Sequence, residues 1–335
     1  MKIIHGNALT ILKTLPEDWF HVCITSPPYW GQRVYYGAEF TALGNEPTQK
    51  EHINSLVAVF REVRRVLRPD GTFWLNYGDM YYKGKEKHKG LPAKEKHRGL
   101  PATAMRLALA MIDDGWILLS TNIWHKPNAH PQPVKRHPAL DFEYVFQFAK
   151  SEQPYFDYVG VMQDAKCGGK RRLRTVWSIN KASKTGIKHV ATMPEELVDL
   201  LLRASAPVVG CCSECGAPWR RVVRRVFRGK HPVECRDQLI RCGRSGGTQR
   251  ITLDQTEKTE WKTLGFEPGC SCFGDTVPGR VLDPFVGSGT TLMAAQKYFL
   301  DGVGIDINEL YVRDARLKLE AQHRANGKKR SHKNE

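Results

Sequence analysis

The stretch VLDPFVGSGTT (281–291) restricts the fold more than any other in this chain: an apolar strand, a tight Gly-Ser-Gly turn, and a helix start at Thr290 or Thr291. Glycines let the backbone approach a ligand closely, and a helix N-terminus offers unpaired N–H groups. Seventeen residues after Gly289, Asp306 ends the run GVGID. An acidic residue at the tip of the next strand is placed to bind ribose hydroxyls. The turn contains no lysine, which argues against a phosphate-gripping P-loop.

The rest of the chain repeats the alternation of strand and helix. KIIHGN (2–7) reads as a strand and turn, ALTILKTLP as a short helix, and FHVCIT (20–25) as a second strand. From Lys50 to Leu67, Ile53, Leu56, Val57, Phe60, Val63 and Leu67 keep helical spacing, and Pro69-Asp70-Gly71 stops that helix. TFWLNY (72–77), WILLSTNIW (116–124) and FEYVFQFA (142–149) read as strands. A helix over about 102–114 is expected to bury Met105, Ala108, Leu109 and Ile112, with Gly115 at its C-cap. PEELVDLLLRA (194–204) reads as a helix with Pro194 in its first turn. The expectation is an open, mostly parallel α/β sheet covered on both faces.

Of the 335 residues, 51 are Lys or Arg and 35 are Asp or Glu, so the net charge is +16. Such an excess favours a polyanionic partner, nucleic acid foremost. No apolar run approaches the roughly 20 residues of a membrane span, and MKIIHGNALT lacks a signal-peptide core. A cytoplasmic location with no membrane partner is expected. KEKHKGLPA (85–93) is followed by KEKHRGLPA (94–102), a basic tandem near-repeat that reads as a solvated loop or as a loop touching phosphates.

Seven of the nine cysteines lie between Cys211 and Cys272, and without a secretion signal such clustering suggests metal rather than disulfides. Cys212-x-x-Cys215 and Cys270-x-Cys272 supply two pairs of thiolates, a set suited to a tetrahedral structural zinc. Cys211 in place of Cys212, a half-site at Cys235 and Cys242, or free thiols remain open. From Arg220 to Arg250 there are ten Lys or Arg against two acidic residues, half of the net charge. Residues 205–278 are therefore expected to be an inserted basic, zinc-binding module that contacts DNA, with Trp219 beside Arg220 and Arg221 either stacking there or packed in a core. The α/β domain would occupy 1–204 and 279–325, and 326–335 would be a disordered basic tail.

One apolar strand ends abruptly in TSPPYW (25–30). Prolines cannot continue a ladder, so Pro27 and Pro28 make a rigid corner that presents Ser26, Tyr29 and Trp30. Together with DPFVGSGTT, this corner resembles the motifs of S-adenosylmethionine-dependent DNA methyltransferases acting on exocyclic amino groups. The catalytic motif precedes the cofactor motif, the circularly permuted order of that family's beta class. The resemblance covers roughly 1–204 and 279–325. It implies a Rossmann-like, seven-stranded, permuted methyltransferase sheet and double-stranded DNA as substrate, with a cognate restriction endonuclease as a candidate partner.

The resemblance also implies residue roles. Ser26 and the Pro27 carbonyl would accept the two hydrogens of the amine, and Tyr29 would stack on a base extruded from the duplex. Asp283, Phe285, Gly287, Gly289 and Thr290 would border the methionine end of the cofactor, and Asp306 would take the ribose. HGN (5–7) aligns with a Gly-Asp turn that contacts adenine, so Asn7 is a candidate contact. HVATMPEELV (189–198) resembles a family motif beside the cofactor, with Met193 where an aromatic is more usual and His189 as a candidate. Ser before Pro-Pro points to cytosine N4 over adenine N6. The competing reading of another class is a zinc-bearing DNA-binding protein with a decayed enzyme domain, which intact motifs argue against.

Overall fold

The computed structural model describes residues 1–31, 43–79, 81, 99–129, 135–165, 169–181, 192–230 and 257–331. The near-repeat over 85–98, His189, Cys167, Cys235 and Cys242 lie outside the described residues. In chain order the elements are β1 (Lys2–His5), α1 (Ala8–Leu12), β2 (Phe20–Thr25), α2 (Gln49–Val66), β3 (Leu67–Tyr77), α3 (Thr103–Asp113), β4 (Ile117–His125), β5 (Phe142–Ala149), β6 (Gln163–Asp164), β7 (Lys170–Arg171), β8 (Val176–Ser178), α4 (Glu195–Ser205), β9 (Cys211–Cys212), β10 (Arg220–Lys230), β11 (Glu257–Glu267), β12 (Thr276–Val277), β13 (Arg280–Asp283), α5 (Thr290–Lys297), β14 (Asp301–Asp306) and α6 (Glu309–Ser331).

Contacts divide these elements into two units. The larger comprises Met1–Phe156, Thr175–Gly210 and Val277–Glu335. Among the described residues its sheet has eight strands in the order β1-β14-β13-β2-β3-β5-β4-β8. All neighbours are parallel except β5, which runs antiparallel to both β3 and β4. The strand beyond the expected seven is β8, three residues paired parallel with β4. It carries Trp177, whose ring packs edge-on against Trp74 at 6.3 Å. A run this short lacks the alternation that marks a strand in sequence.

The central strands are apolar because both faces are covered. Every residue of β2 is buried, and α2 lays Ile53, Leu56, Val59, Phe60, Val63 and Val66 into the same core as Phe73 and Phe148. α2 begins with a capping box: Thr48 accepts from the Glu51 amide while the Glu51 carboxylate accepts from the Thr48 amide. α3 corrects the sequence expectation. It buries Thr103, Ala104, Leu107, Ala108 and Met111, and leaves Met105, Leu109 and Ile112 exposed by 50%, 62% and 41%. Thr103 and Ala104 join Leu107, Ala108 and Met111 on the buried face, so the register of its apolar stripe misled. α6 continues helically to Ser331, through most of the tail expected to be disordered; basic residues suit a helix C-terminus.

The smaller unit is Cys211–Thr276 together with Asp157–Arg174, a segment the sequence reading assigned to the α/β domain. Its largest element is the antiparallel ribbon of β10 and β11. Arg221 is held within this unit, bonded to the Asp157 carboxylate at 2.7 and 3.0 Å and lying over the Phe266 ring.

Candidate active site

Parallel pairing brings the two motifs side by side. β2 and β13 are neighbours, with Val22 opposite Val281 and Cys23 opposite Leu282. Both strands therefore end together, one at Thr25 before the proline corner and the other at Asp283 before the glycine turn. The Thr25 hydroxyl donates to Asp283 Oδ1 at 2.6 Å, although 258 residues separate them. Ligands of open α/β sheets bind at such carboxyl ends of strands.

On the glycine-turn side, Asp283 is buried and also accepts from the Phe285 amide at 3.1 Å. Burial pushes its carboxyl up to about 6; the Thr25 bond opposes the rise and the nearby Asp306 charge adds to it. Gly287 and Gly289 have φ of +46° and +85°, a region that L side chains rarely enter. A Cβ on Gly287 would find no atom nearer than 3.9 Å, so the turn leaves its backbone open, whereas one on Gly289 would meet Ala315 Cβ at 3.0 Å. Thr290 begins α5, whose N-cap Gly289 supplies no side-chain bond.

Asp306 ends β14 next to β13. Its carboxylate accepts from the Gly287 amide at 2.9 Å and the Asn308 amide at 2.8 Å, so it ties the turn to the next strand. Burial raises its carboxyl above the ordinary aspartate value. β1 pairs with β14 so that His5 lies opposite Asp306, and Gly6 donates to the Asp306 carbonyl at 2.9 Å. The HGN turn is thereby brought to the same end of the sheet. Asn7 Oδ1 caps α1 by accepting from Thr10 at 3.2 Å, which leaves its amide NH2 for other partners. Met193 is buried just before α4.

The proline corner is more elaborate than its sequence. Ser26 is partly exposed, Pro27 is buried, and Tyr29 is only 8% exposed, its ring 4.5 Å from that of Tyr77. One face of Tyr29 is thus already covered. The Tyr29 hydroxyl donates to Glu143 Oε2 at 2.8 Å and accepts from Ser26 Oγ at 3.2 Å and Asn76 Nδ2 at 3.0 Å. Asn76 also donates to Glu143 at 2.7 Å, and Lys126 pairs with the other Glu143 oxygen. Behind the corner, the Trp30 amide donates to the Tyr77 hydroxyl at 3.1 Å. His52, fully buried, stands between that hydroxyl at 2.9 Å and Glu46 Oε2 at 2.8 Å. Sequence reasoning missed Asn76, Glu143, Lys126, His52 and Tyr77. They lie on β3, β5 and α2 and just after β4, and only FEYVFQFA hinted at one of them, by setting an acid inside an apolar strand.

In the smaller unit, the Sγ atoms of Cys212, Cys215, Cys270 and Cys272 all lie within 4.8 Å of one another. Cys211 is buried outside this group. Two glycines hold the turns close: a Cβ on Gly274 would reach Cys212 Sγ at 3.0 Å, and one on Gly269 would strike the Pro218 carbonyl at 2.3 Å. The Cys215 and Glu214 amides draw the Cys212 thiol down to about 7, while Cys215 and Cys270 beside it push Cys272 up to about 12. Four thiols so placed cannot all ionise without a cation among them, and with one they form a soft tetrahedral donor set.

The chain matches the sequence profile of a family described as DNA methylase, of the N6 and N4 kind, over residues 20–210 and 276–317. The type II methyltransferase M.SmaI of Serratia marcescens is 31% identical over 336 residues, spanning 95% of this chain and 90% of that protein. M.XycI of Xanthomonas campestris pv. cyanopsidis is 38% identical over 218 residues, 61% of this chain and 72% of the other. Among solved structures, a PvuII DNA methyltransferase described as cytosine-N4-specific superposes with a TM-score of 0.59 at 18% identity, covering 94% of this chain and 84% of that one. The M1.HpyAVI–SAM complex gives 0.51 at 15%, covering 95% and 98%. The matched profile runs through both strand ends that carry the proline corner and the glycine turn, and the chain belongs to the N6/N4 DNA methylase family.

Proposed function

We propose that the protein methylates the exocyclic N4 of cytosine at a specific site in double-stranded DNA, using S-adenosyl-L-methionine. The observation that carries this reading is the Thr25–Asp283 bond of 2.6 Å, which sets the catalytic corner beside the cofactor turn. The donor set suits the cofactor: two carboxylates for a cation, an open glycine backbone, and a helix start without a side-chain cap. When bound, S-adenosyl-L-methionine supplies a methyl group on cationic sulfur. Asp283, Phe285, Gly287, Gly289 and Thr290 border its methionine end, Asp306 takes the ribose, and the Asn7 amide reaches adenine.

An exocyclic amine is a poor nucleophile because its lone pair is delocalised into the ring. Ser26 Oγ and the Pro27 carbonyl accept its two hydrogens and let the nitrogen turn pyramidal. The Tyr29 ring stacks on the extruded base, an interaction of about 1–3 kcal/mol. Positioning contributes most of the rate. Cytosine is favoured over adenine because Ser26 offers a short neutral acceptor, in keeping with the cytosine specificity stated for the PvuII enzyme that shares this fold.

Cys212, Cys215, Cys270 and Cys272 hold a structural zinc that orders the basic unit for contact with DNA. Nucleoside mass spectrometry of DNA incubated with protein and cofactor tests the reaction. N4-methylcytosine is expected; N6-methyladenine without it would overturn the cytosine assignment, and no methylated base would overturn the enzyme itself.

A further inference from the structure

Methylating an amine leaves a proton to remove. The N–C bond forms as the C–S bond breaks with its electron pair left on sulfur, and one N–H proton must depart. At the proline corner, hydroxyl and carboxyl groups already stand in donor-to-acceptor order. Ser26 Oγ donates to the Tyr29 oxygen at 3.2 Å, and Tyr29 donates to Glu143 Oε2 at 2.8 Å. Asn76 Nδ2 donates both to the Tyr29 oxygen at 3.0 Å and to Glu143 Oε2 at 2.7 Å. With Ser26 and Asn76 donating into it, the phenol is left to give its own proton to Glu143. The direction of the chain is set by its partners.

We propose that Glu143 receives the proton lost by the methylated amine, delivered through the Ser26 and Tyr29 hydroxyls, with Lys126 holding the carboxylate in place. The proposal rests on the reading above, in which Ser26 faces the amine. As the amine proton reaches Ser26 Oγ, the Ser26 proton passes to Tyr29 and the Tyr29 proton to Glu143. Both hydroxyls end as they began, and Glu143 ends as a neutral carboxylic acid. Its side chain is 16% exposed, so it can return the proton to water.

Tyr29 serves as a conduit rather than a base. Burial, and then the Glu143 charge, push its phenol well above the usual tyrosine value, so it stays protonated between transfers. A phenylalanine would supply the same ring for stacking, yet this position carries a hydroxyl aimed at a carboxylate. Among the described residues, the charged and titratable groups shown against Glu143 are Lys126, the residue after β4, and Tyr29 on the corner, whose ring packs on Tyr77; Asp79 follows Gly78 in the chain. Gly78 itself runs so close that a Cβ there would lie 2.8 Å from Glu143 Cγ.

Single-turnover methyl transfer in the preformed protein–DNA–cofactor complex, followed against pH, tests the relay with Glu143→Gln and Tyr29→Phe. The wild-type rate should rise from acid pH to a plateau, because the relay needs a carboxylate to receive the proton. Glu143→Gln should slow transfer by at least ~100-fold and lose that rise, since a general base contributes on this order. Tyr29→Phe should do the same, and the double variant should be little slower than either, as for groups acting in series. DNA and cofactor affinities, measured by fluorescence and calorimetry, should stay within about twofold. If Glu143→Gln fails to fold, the near-isosteric Tyr29→Phe decides alone. A variant that is merely slower while keeping the wild-type pH rise, or one as fast as wild type, overturns the relay. A wild-type protein that methylates no DNA overturns the reading beneath it as well, and is told apart by that result alone.

Discussion

At the scale of single residues, Asp283 is costly to the free protein. Its ordinary value is 3.8 and burial raises it to about 6. Below the lower value the carboxyl is neutral whether folded or unfolded, and the full benefit of burying a neutral group is present. As pH rises through about 6 the folded protein must ionise it in a buried site, and that stability is lost, on the order of 3 kcal/mol for a shift of about two units. A cationic cofactor would offset the cost. Asp283→Asn keeps the acceptor for Thr25 and Phe285, so it should stabilise the cofactor-free protein at neutral pH by up to ~3 kcal/mol and flatten the pH dependence of its melting. The same change should weaken S-adenosylmethionine binding at least ~10-fold. A destabilised variant with unchanged affinity in calorimetry would contradict both effects. Asp306→Ala should likewise weaken the cofactor by about tenfold or more, because charged hydrogen bonds contribute about 1.5–3 kcal/mol each; here melting should fall too, since Gly287 and Asn308 lose their acceptor.

Among the elements, β13, the glycine turn and α5 form one mechanical unit. Gly289 combines a left-handed φ of +85° with an approach to α6 that would set a methyl group 3.0 Å from Ala315 Cβ. Gly289→Ala should cost about 1–3 kcal/mol by strain and overpacking, read as a lower urea midpoint, and should reduce cofactor affinity by displacing the start of α5. An unchanged midpoint would show that α5 and α6 can part without penalty. How legible these elements were depended on how far their signal was local. β2, β5 and α2 carry long apolar patterns, and their boundaries were read to within one residue. α3 was found but rotated, because Thr103 and Ala104 can line a core as well as Leu109 could, and only packing chooses between two partly apolar faces. β8 was missed because three residues acquire strand geometry from β4 and not from themselves.

For the molecule as a whole, charge and metal make separable predictions. Purified protein should contain about one zinc per chain. Cys215→Ser should lose it and loosen Cys211–Thr276, since ligand binding and local folding are one event at such sites. DNA affinity should then fall more than cofactor affinity. Elemental analysis finding no metal in active protein would remove the zinc. With a net charge of +16, DNA binding should weaken steeply with salt, each neutralised phosphate contributing about −0.9 to the log–log slope; a flat dependence would leave the charge without a partner.

Sequence alone determined what depends on neighbours along the chain: the glycine turn and its following acid, the rigid Ser-Pro-Pro-Tyr corner, the paired cysteines, and the order of the motifs. Each is a statement about a few consecutive residues whose backbone limits leave little choice. Tertiary structure decided which distant groups share one hydrogen-bond network. Glu143, Asn76 and Lys126 are unremarkable in their own segments and matter because antiparallel pairing of β5 with β3 and β4 carries them to the corner. Asp157 is likewise an ordinary acid until folding sets it against Arg221, moving its segment into the cysteine-bearing unit. Hydrogen-bond partners are chosen by distance in space, and a chain folded into a permuted sheet separates that distance from distance in sequence.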